Sequence, residues 1–265
     1  MESSLLKQIS ENTEKTACNT EPKTSFSIFL SEKSTRIRTK FNPLLELEKN
    51  KKYEMALVAL ETYYSFPNID ATNNGFRYSP NSGTDWVNIA VPEGCYEITD
   101  INEYIQRVMK GNGHYDGVNG EYCISIAPNT NTLRSVVNIS AADYMVDFTP
   151  KNSIGKVLGF NRWIYSAGYN ESEDLVNIMS VSSLRVTSDI IGSSYTNGTS
   201  ENVIYSFFPN VGPGYKIIEV PHNLIYLPIL LSTISTMETR LTDQHGNLLN
   251  LRGEELAIRF HIREV

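Results

Sequence analysis

Hydrophobic residues recur along most of this chain with a period of two, and the pattern is clearest near the C-terminus. Leu256, Ile258, Phe260 and Ile262 alternate there with Ala257, Arg259, His261 and Arg263. A strand with one face on a core and the other toward water or a partner requires that alternation. It predicts a closing hairpin over Ile225 to Glu264, with strands at Leu224–Thr242, broken near Ser232, and at Glu255–Arg263. Between them, Asp243-Gln244-His245-Gly246-Asn247 supplies side-chain acceptors and a glycine for the turn. At the other end, Phe26, Ile28 and Leu30 predict a first strand, and Ile37 between Arg36 and Arg38 a second. Pro43 interrupts before a short strand at Leu44–Leu47. Tyr53 to Tyr64 is apolar at successive positions, as in a central strand covered on both faces. Pro67 ends it, because proline cannot donate to a ladder.

The period changes to 3.6 once, where Ile101, Tyr104, Ile105, Val108 and Met109 form a helical stripe. Asp100 is the predicted cap, with Glu103 reaching back, and Gly111 and Gly113 are the stop. A second, shorter helix is predicted after Ser153, carrying Ile154, Val157 and Leu158. Strands are predicted at Trp86–Val91, Tyr122–Ala127, Leu133–Ile139, Tyr144–Phe148, Val203–Phe208 and Tyr215–Val220, and one or two within Leu175–Ile191. Asn161–Glu173 is predicted as a polar loop. A dozen short strands with two helices indicate an all-β antiparallel sandwich or barrel. Residues 1–24 lack a sustained apolar stripe and are predicted as a flexible arm, in which Leu5, Leu6 and Ile9 could form one helical turn. Residues 25–265 are predicted as one domain, with a division into lobes 25–160 and 174–265 as the alternative.

Composition narrows the function. A net charge of −7 argues against bare nucleic acid as a partner, although Lys33, Arg36, Arg38 and Lys40 form a local basic stretch. Cys18, Cys95 and Cys123 are odd in number and irregular in spacing, as suits free thiols in a reducing compartment. No apolar run is long enough for a membrane helix. His114, His222, His245 and His261 show no metal-ligand spacing with each other or with the cysteines. Glu254-Glu255 and Glu171/Glu173/Asp174 are the carboxylate groupings, and both read as solvated surface rather than as a cation site. Nucleophile-elbow, phosphate-loop and dinucleotide motifs are absent. The expectation is therefore no enzyme, no catalytic, cofactor-binding or metal residue, and no cofactor.

Several segments in order resemble the minor capsid, or penton, protein of Polinton (Maverick) elements and adintoviruses. They are Tyr53-Glu54-Met55-Ala56-Leu57 running on to Tyr63-Tyr64-Ser65-Phe66-Pro67-Asn68-Ile69, and Val91-Pro92-Glu93-Gly94-Cys95-Tyr96 before the helix. Leu158-Gly159-Phe160, Ile225-Tyr226-Leu227-Pro228, the Asp243-Gln244-His245-Gly246 turn and Ile258-Arg259-Phe260-His261-Ile262-Arg263 complete the set. The family's closing strand reads closer to Leu-His-Phe-Arg, so this chain keeps the His and Arg and exchanges the hydrophobes. The resemblance implies a jelly roll in a virion capsid, forming homopentamers at the vertices and contacting the major capsid protein. A genome-integrated copy fits the same resemblance. The alternative is a cellular jelly-roll module binding a ligand or carbohydrate, for which Trp163, Tyr165 and Tyr169 would be the aromatic platform.

Overall fold

The structure, a computed structural model, describes residues 24–115, 121–178, 181–192 and 194–265. Residues 1–23 of the predicted arm, with Leu5, Leu6, Ile9 and Cys18, and half of the loop after the helix lie outside the described residues.

The chain begins with β1 (Ser25–Glu32), β2 (Arg36–Glu46) and β3 (Tyr53–Tyr63). Next come β4 (Gly75–Ser79), β5 (Val87–Ala90), the helix α1 (Ile98–Gly111), β6 (Ile124–Asn129), β7 (Arg134–Ile139) and β8 (Met145–Asp147). After a 3-10 turn at Ile154–Lys156 lie β9 (Ile164–Tyr165) and β10 (Gly168–Glu171). The chain then forms β11 (Leu184–Ser188), β12 (Ser194–Thr196), β13 (Thr199–Glu201), β14 (Val203–Phe207) and β15 (Lys216–Glu219). It closes with β16 (Leu227–Pro228), β17 (Thr233–Thr242) and β18 (Leu256–Glu264).

Eight of these strands, joined by the two-residue β16, form two facing antiparallel sheets. The first sheet runs β1-β18-β3-β15, with β16 also on β3; the second runs β14-β11-β17-β2. The pairing is nested. The first of the eight pairs with the last, β2 with β17, β3 with β15, and β11 with β14 in the middle. A long hairpin rolled into two layers has this order, which makes the fold a jelly roll. Inward residues of both sheets, among them Met55, Leu57, Leu60, Val186, Met237, Leu241, Ile258 and Phe260, form one core.

The predicted closing hairpin does not exist as such. β17 and β18 lie in opposite sheets and face each other across the core. Asp243 does close a turn, its Oδ1 accepting the amides of His245 and Asn247 at 2.8 Å, with Gly246 at φ +83°. Buried Leu249 and Leu251 then carry the chain over the end of the sandwich. A period of two fixes which face of a strand is buried, not which strand it pairs with. β2 likewise continues through Pro43 as one strand, so Leu44–Leu47 is not separate. β3 is interior, as expected, but only one of its faces meets the core. Its outward positions include the small residues Ala56 and Ala59 beside His261 and Arg259.

Residues 69–178 interrupt the roll between β3 and β11 and build a second core of their own. It comprises the sheets β5-β4-β8-β9 and β10-β7-β6, with α1 against β6. The helix starts earlier than predicted. Glu97 is its N-cap and Asp100, at the third position, accepts the Glu97 amide at 2.8 Å. Ile98, Ile101, Ile105 and Met109 are buried. From its polar flank Asn102 accepts the Ile126 amide and Gln106 donates to the Ile124 carbonyl, so the helix satisfies the edge of β6 as a strand would. The predicted second helix is only the 3-10 turn, although Ser153 caps it by accepting the Gly155 amide at 3.1 Å. The loop predicted at Asn161–Glu173 contains β9 and β10, and within Leu175–Ile191 the described strand is β11 alone. Buried side chains divide into the two clusters near residues 66–69 and 178–181.

Entry and exit of this inserted module are tied together by one residue. Asn68 donates from Nδ2 to the carbonyls of Tyr96 (2.7 Å) and Ile178 (3.0 Å), and accepts the Tyr96 amide on Oδ1 (2.9 Å). Cys95 Sγ donates to the Phe66 carbonyl, and Asn250 of the roll donates to Glu93.

Candidate assembly surface

The titratable side chains noted in the sequence lie apart from one another, each with its own partners. Among the described residues no group of three His, Cys, Asp or Glu side chains is placed to hold a metal ion. His261 faces outward from β18 with Nδ1 2.8 Å from the Tyr226 hydroxyl, and His114 sits 2.7 Å from that of Tyr78. Glu171 accepts from Asn129 and Thr132, while Glu173 accepts the Tyr165 hydroxyl and the Asn161 amide, so both carboxylates brace their own loop. Burial and Glu173 together push the Tyr165 phenol well above its ordinary range. Glu255 accepts from Ser31. Cys95 and Cys123 form no disulfide, and burial raises the Cys95 thiol pKa. No described helix is long and apolar enough to cross a membrane.

The aromatic platform required by a sugar-binding reading is split. Tyr165 is buried against Phe148 and Phe160, with ring centroids 5.7 and 5.0 Å away. Only Trp163 and Tyr169 of the trio are exposed.

A run of exposed apolar side chains lies on the roll. Among the described residues, Phe208, Tyr215, Ile218, Val220, Leu224, Ile225, Leu230 and Leu231 are all exposed large hydrophobics, within 24 residues of sequence. Both short strands in that stretch pair with the same side of β3, Ile218 opposite Glu61 and Leu227 opposite Met55. From Tyr215 onward the stretch therefore follows one edge of the first sheet, opposite β1; the outer side of β15 has no strand beside it among the described residues, whereas Pro228 and Leu230 exchange backbone hydrogen bonds with Gly192 and Ile190. Ile217 points into the core while Ile218, the next residue, is 56% exposed. Scattered exposed hydrophobics are ordinary, but a run of them on an open sheet edge marks a contact site. Few charges interrupt it: Lys216 bonds Glu61 at 2.6 Å, and Glu219 accepts the Tyr205 hydroxyl at 2.8 Å. Burial, then Glu219, raises the Tyr205 phenol to about 12.

The outer face of the same sheet carries cations stacked on aromatic rings. Arg259 lies over the exposed ring of Phe29 at 5.0 Å, and Arg263 over Tyr226 at 3.6 Å while bonding Glu54 at 3.1 Å. Arginine and aromatic side chains held in this way lose little freedom on binding a partner. The sequence picked out Ile225-Tyr226-Leu227-Pro228 as a motif, but not as part of an exposed edge. Ile225-Tyr226-Leu227 reads as strand, and only the pairing shows which of its side chains are left uncovered.

No family model and no curated protein matches the chain. Among solved structures it is similar to the mavirus penton protein, at 10% identity and a TM-score of 0.47, over 91% of this chain and 100% of that one. It is also similar to a chain of the Sputnik virophage, at 13% identity and a TM-score of 0.41, over 91% and 98%.

Proposed function

We propose that this chain is a non-enzymatic structural subunit of a viral-type capsid, a penton-like jelly roll that associates with copies of itself. The observation that carries the reading is the run of exposed apolar side chains along one edge of the first sheet of a jelly roll. A sandwich with two packed layers presents fixed surfaces, and closed symmetry turns many modest contacts into a cooperative one. The motif resemblance to Polinton and adintovirus minor capsid proteins supports pentamers as the assembly and the major capsid protein as the neighbour. It also supports a virion location, with residues 25–265 as the capsid domain and 1–24 as an arm.

Sedimentation velocity and negative-stain microscopy of the purified chain over a range of concentrations test this. Discrete rings, pentamers foremost, are the expected result. Ile218→Asp with Ile225→Asp, both at exposed positions, leaves the circular dichroism spectrum unchanged and returns the chain to monomer. A wild-type chain that stays monomeric throughout would overturn the reading, and one that also binds an immobilised glycan would favour the ligand-binding alternative.

A further inference from the structure

Charge is distributed unevenly between the two parts of the molecule. Residues 69–178 carry thirteen acidic against seven basic side chains, whereas the roll has thirteen of each. Within the roll, basic residues gather on the outer face of the second sheet. Arg36, Arg38 and Lys40 of β2, Arg240 of β17 and Arg185 of β11 all project there, as their alternation and register require. Three carboxylates accompany them. Glu238 is bonded by Arg36 (3.0 Å), Arg38 (2.6 Å) and Arg240 (2.6 Å), Glu201 lies 3.7 Å from Arg185, and Asp189 accepts the Glu238 amide. One carboxylate cannot neutralise three guanidiniums, and the arginine side chains stay 48–69% exposed. In the inserted module, Asp85, Glu97, Asp100, Glu103 and Asp174 are exposed and form no ion pair among the described residues.

We infer that the basic outer face of the second sheet docks the acidic inserted module of a second copy of this chain. The inference rests on the capsid-subunit reading and adds the surface that joins one copy to the next. Two different patches meet in such a contact, so it is head-to-tail, and a head-to-tail contact that closes generates a ring. Arg36 opens β2 and Arg240 lies near the end of β17, at the end of the roll where Asn250 contacts Glu93 of the module. A neighbour placed alongside therefore presents its module at the level of these arginines. Opposite potentials steer the encounter and fix its polarity, while the apolar edge supplies the burial.

The test uses full-length chains in sedimentation velocity at low and high salt. Arg38→Glu with Lys40→Glu reverses the basic face and leaves Arg36 and Arg240 on Glu238; Lys40→Glu alone is the milder version. Glu103→Lys with Asp174→Lys reverses exposed charge on the module. Each double variant alone is expected to associate at least about tenfold more weakly than wild type in dilute salt, the gap narrowing as salt rises. An equimolar mixture of the two double variants is expected to associate again, because the reversed face now meets a reversed module. Wild-type association with variants and mixture all unchanged overturns the docking while leaving the capsid reading intact. A wild type that never associates overturns both. Binding of a DNA duplex that Arg38→Glu/Lys40→Glu abolishes would also overturn it, by giving the face a different occupant.

Discussion

The roll and the inserted module solve the same packing problem with different means. The roll buries mostly aliphatic side chains between two sheets, and its outermost pair joins Ser25 to Arg263, at opposite ends of the described chain. The module is contiguous in sequence and built of strands of two to six residues. Its centre is a helix face and the rings of Phe76, Tyr78, Phe148, Phe160 and Tyr165. Long-range ladders define the first part and local contacts the second. Nesting is what allows one to sit inside the other, because a segment placed between β3 and β11 leaves every outer pair intact. The closure cost of such an insertion grows slowly with length, provided its two ends are held together. Asn68 holds them.

The comparison can be broken at three points, from strongest to weakest. Phe260→Ala in the roll and Phe148→Ala in the module each remove a fully buried ring and should cost roughly 3–5 kcal/mol. Denaturant unfolding followed by tryptophan fluorescence separates them, since Trp86 and Trp163 both lie in the module. Phe148→Ala should shift the fluorescence transition, while Phe260→Ala should shift mainly the circular dichroism transition of the roll. Coincident shifts in both variants would show that the two parts unfold as one. Asn68→Ala removes three hydrogen bonds at the junction and should cost about 1–3 kcal/mol, pulling the two transitions apart. A single sharper transition in that variant would deny Asn68 its coupling role.

The smallest effect is a pH dependence confined to the roll. Hydrogen bonds from Arg36 and then Arg240 hold the Glu238 carboxyl at about 2, against an ordinary 4.5. A depressed acid contributes stability that is present above 4.5 and lost as pH falls toward 2. Thermal unfolding between those limits should show this loss in wild type. Glu238→Gln should flatten that part of the profile, and an unaltered profile would remove the arginine cluster from the roll's acid response.

Much of this architecture was legible in the sequence, and what was not has a physical reason. Period-two alternation located β1 and β18, and the 3.6 stripe located α1, because burial of one face imposes both patterns, while β3 stood out as a continuous apolar run. Strand partners were not legible. β17 and β18 read as a hairpin because a turn joins two apolar runs, yet that turn closes on itself and the chain then crosses between sheets. β9 and β10 were hidden in Asn161–Glu173, where of two exposed aromatics and Tyr165 only the latter turns inward. The basic residues of β2 were visible as a stretch, but their carboxylate, Glu238, lies some 200 positions away and nothing local announces it. The motifs behind the family resemblance fared differently. Phe66-Pro67-Asn68 and Glu93-Gly94-Cys95-Tyr96 meet at the junction between roll and module, where the backbone has few alternatives.

The pairing of β1 with β18 also gives the molecule two unlike poles. Thr24 and Glu264 exchange backbone and side-chain hydrogen bonds at one end of the first sheet, while β3 runs from there to the module at the other. A short linker from Val265 to Thr24 would thus join neighbours rather than span the protein. Circular permutants opened in the exposed turn at Asn197-Gly198 should keep every ladder of the roll, and a label fused at either Thr24 or Val265 would report the same pole.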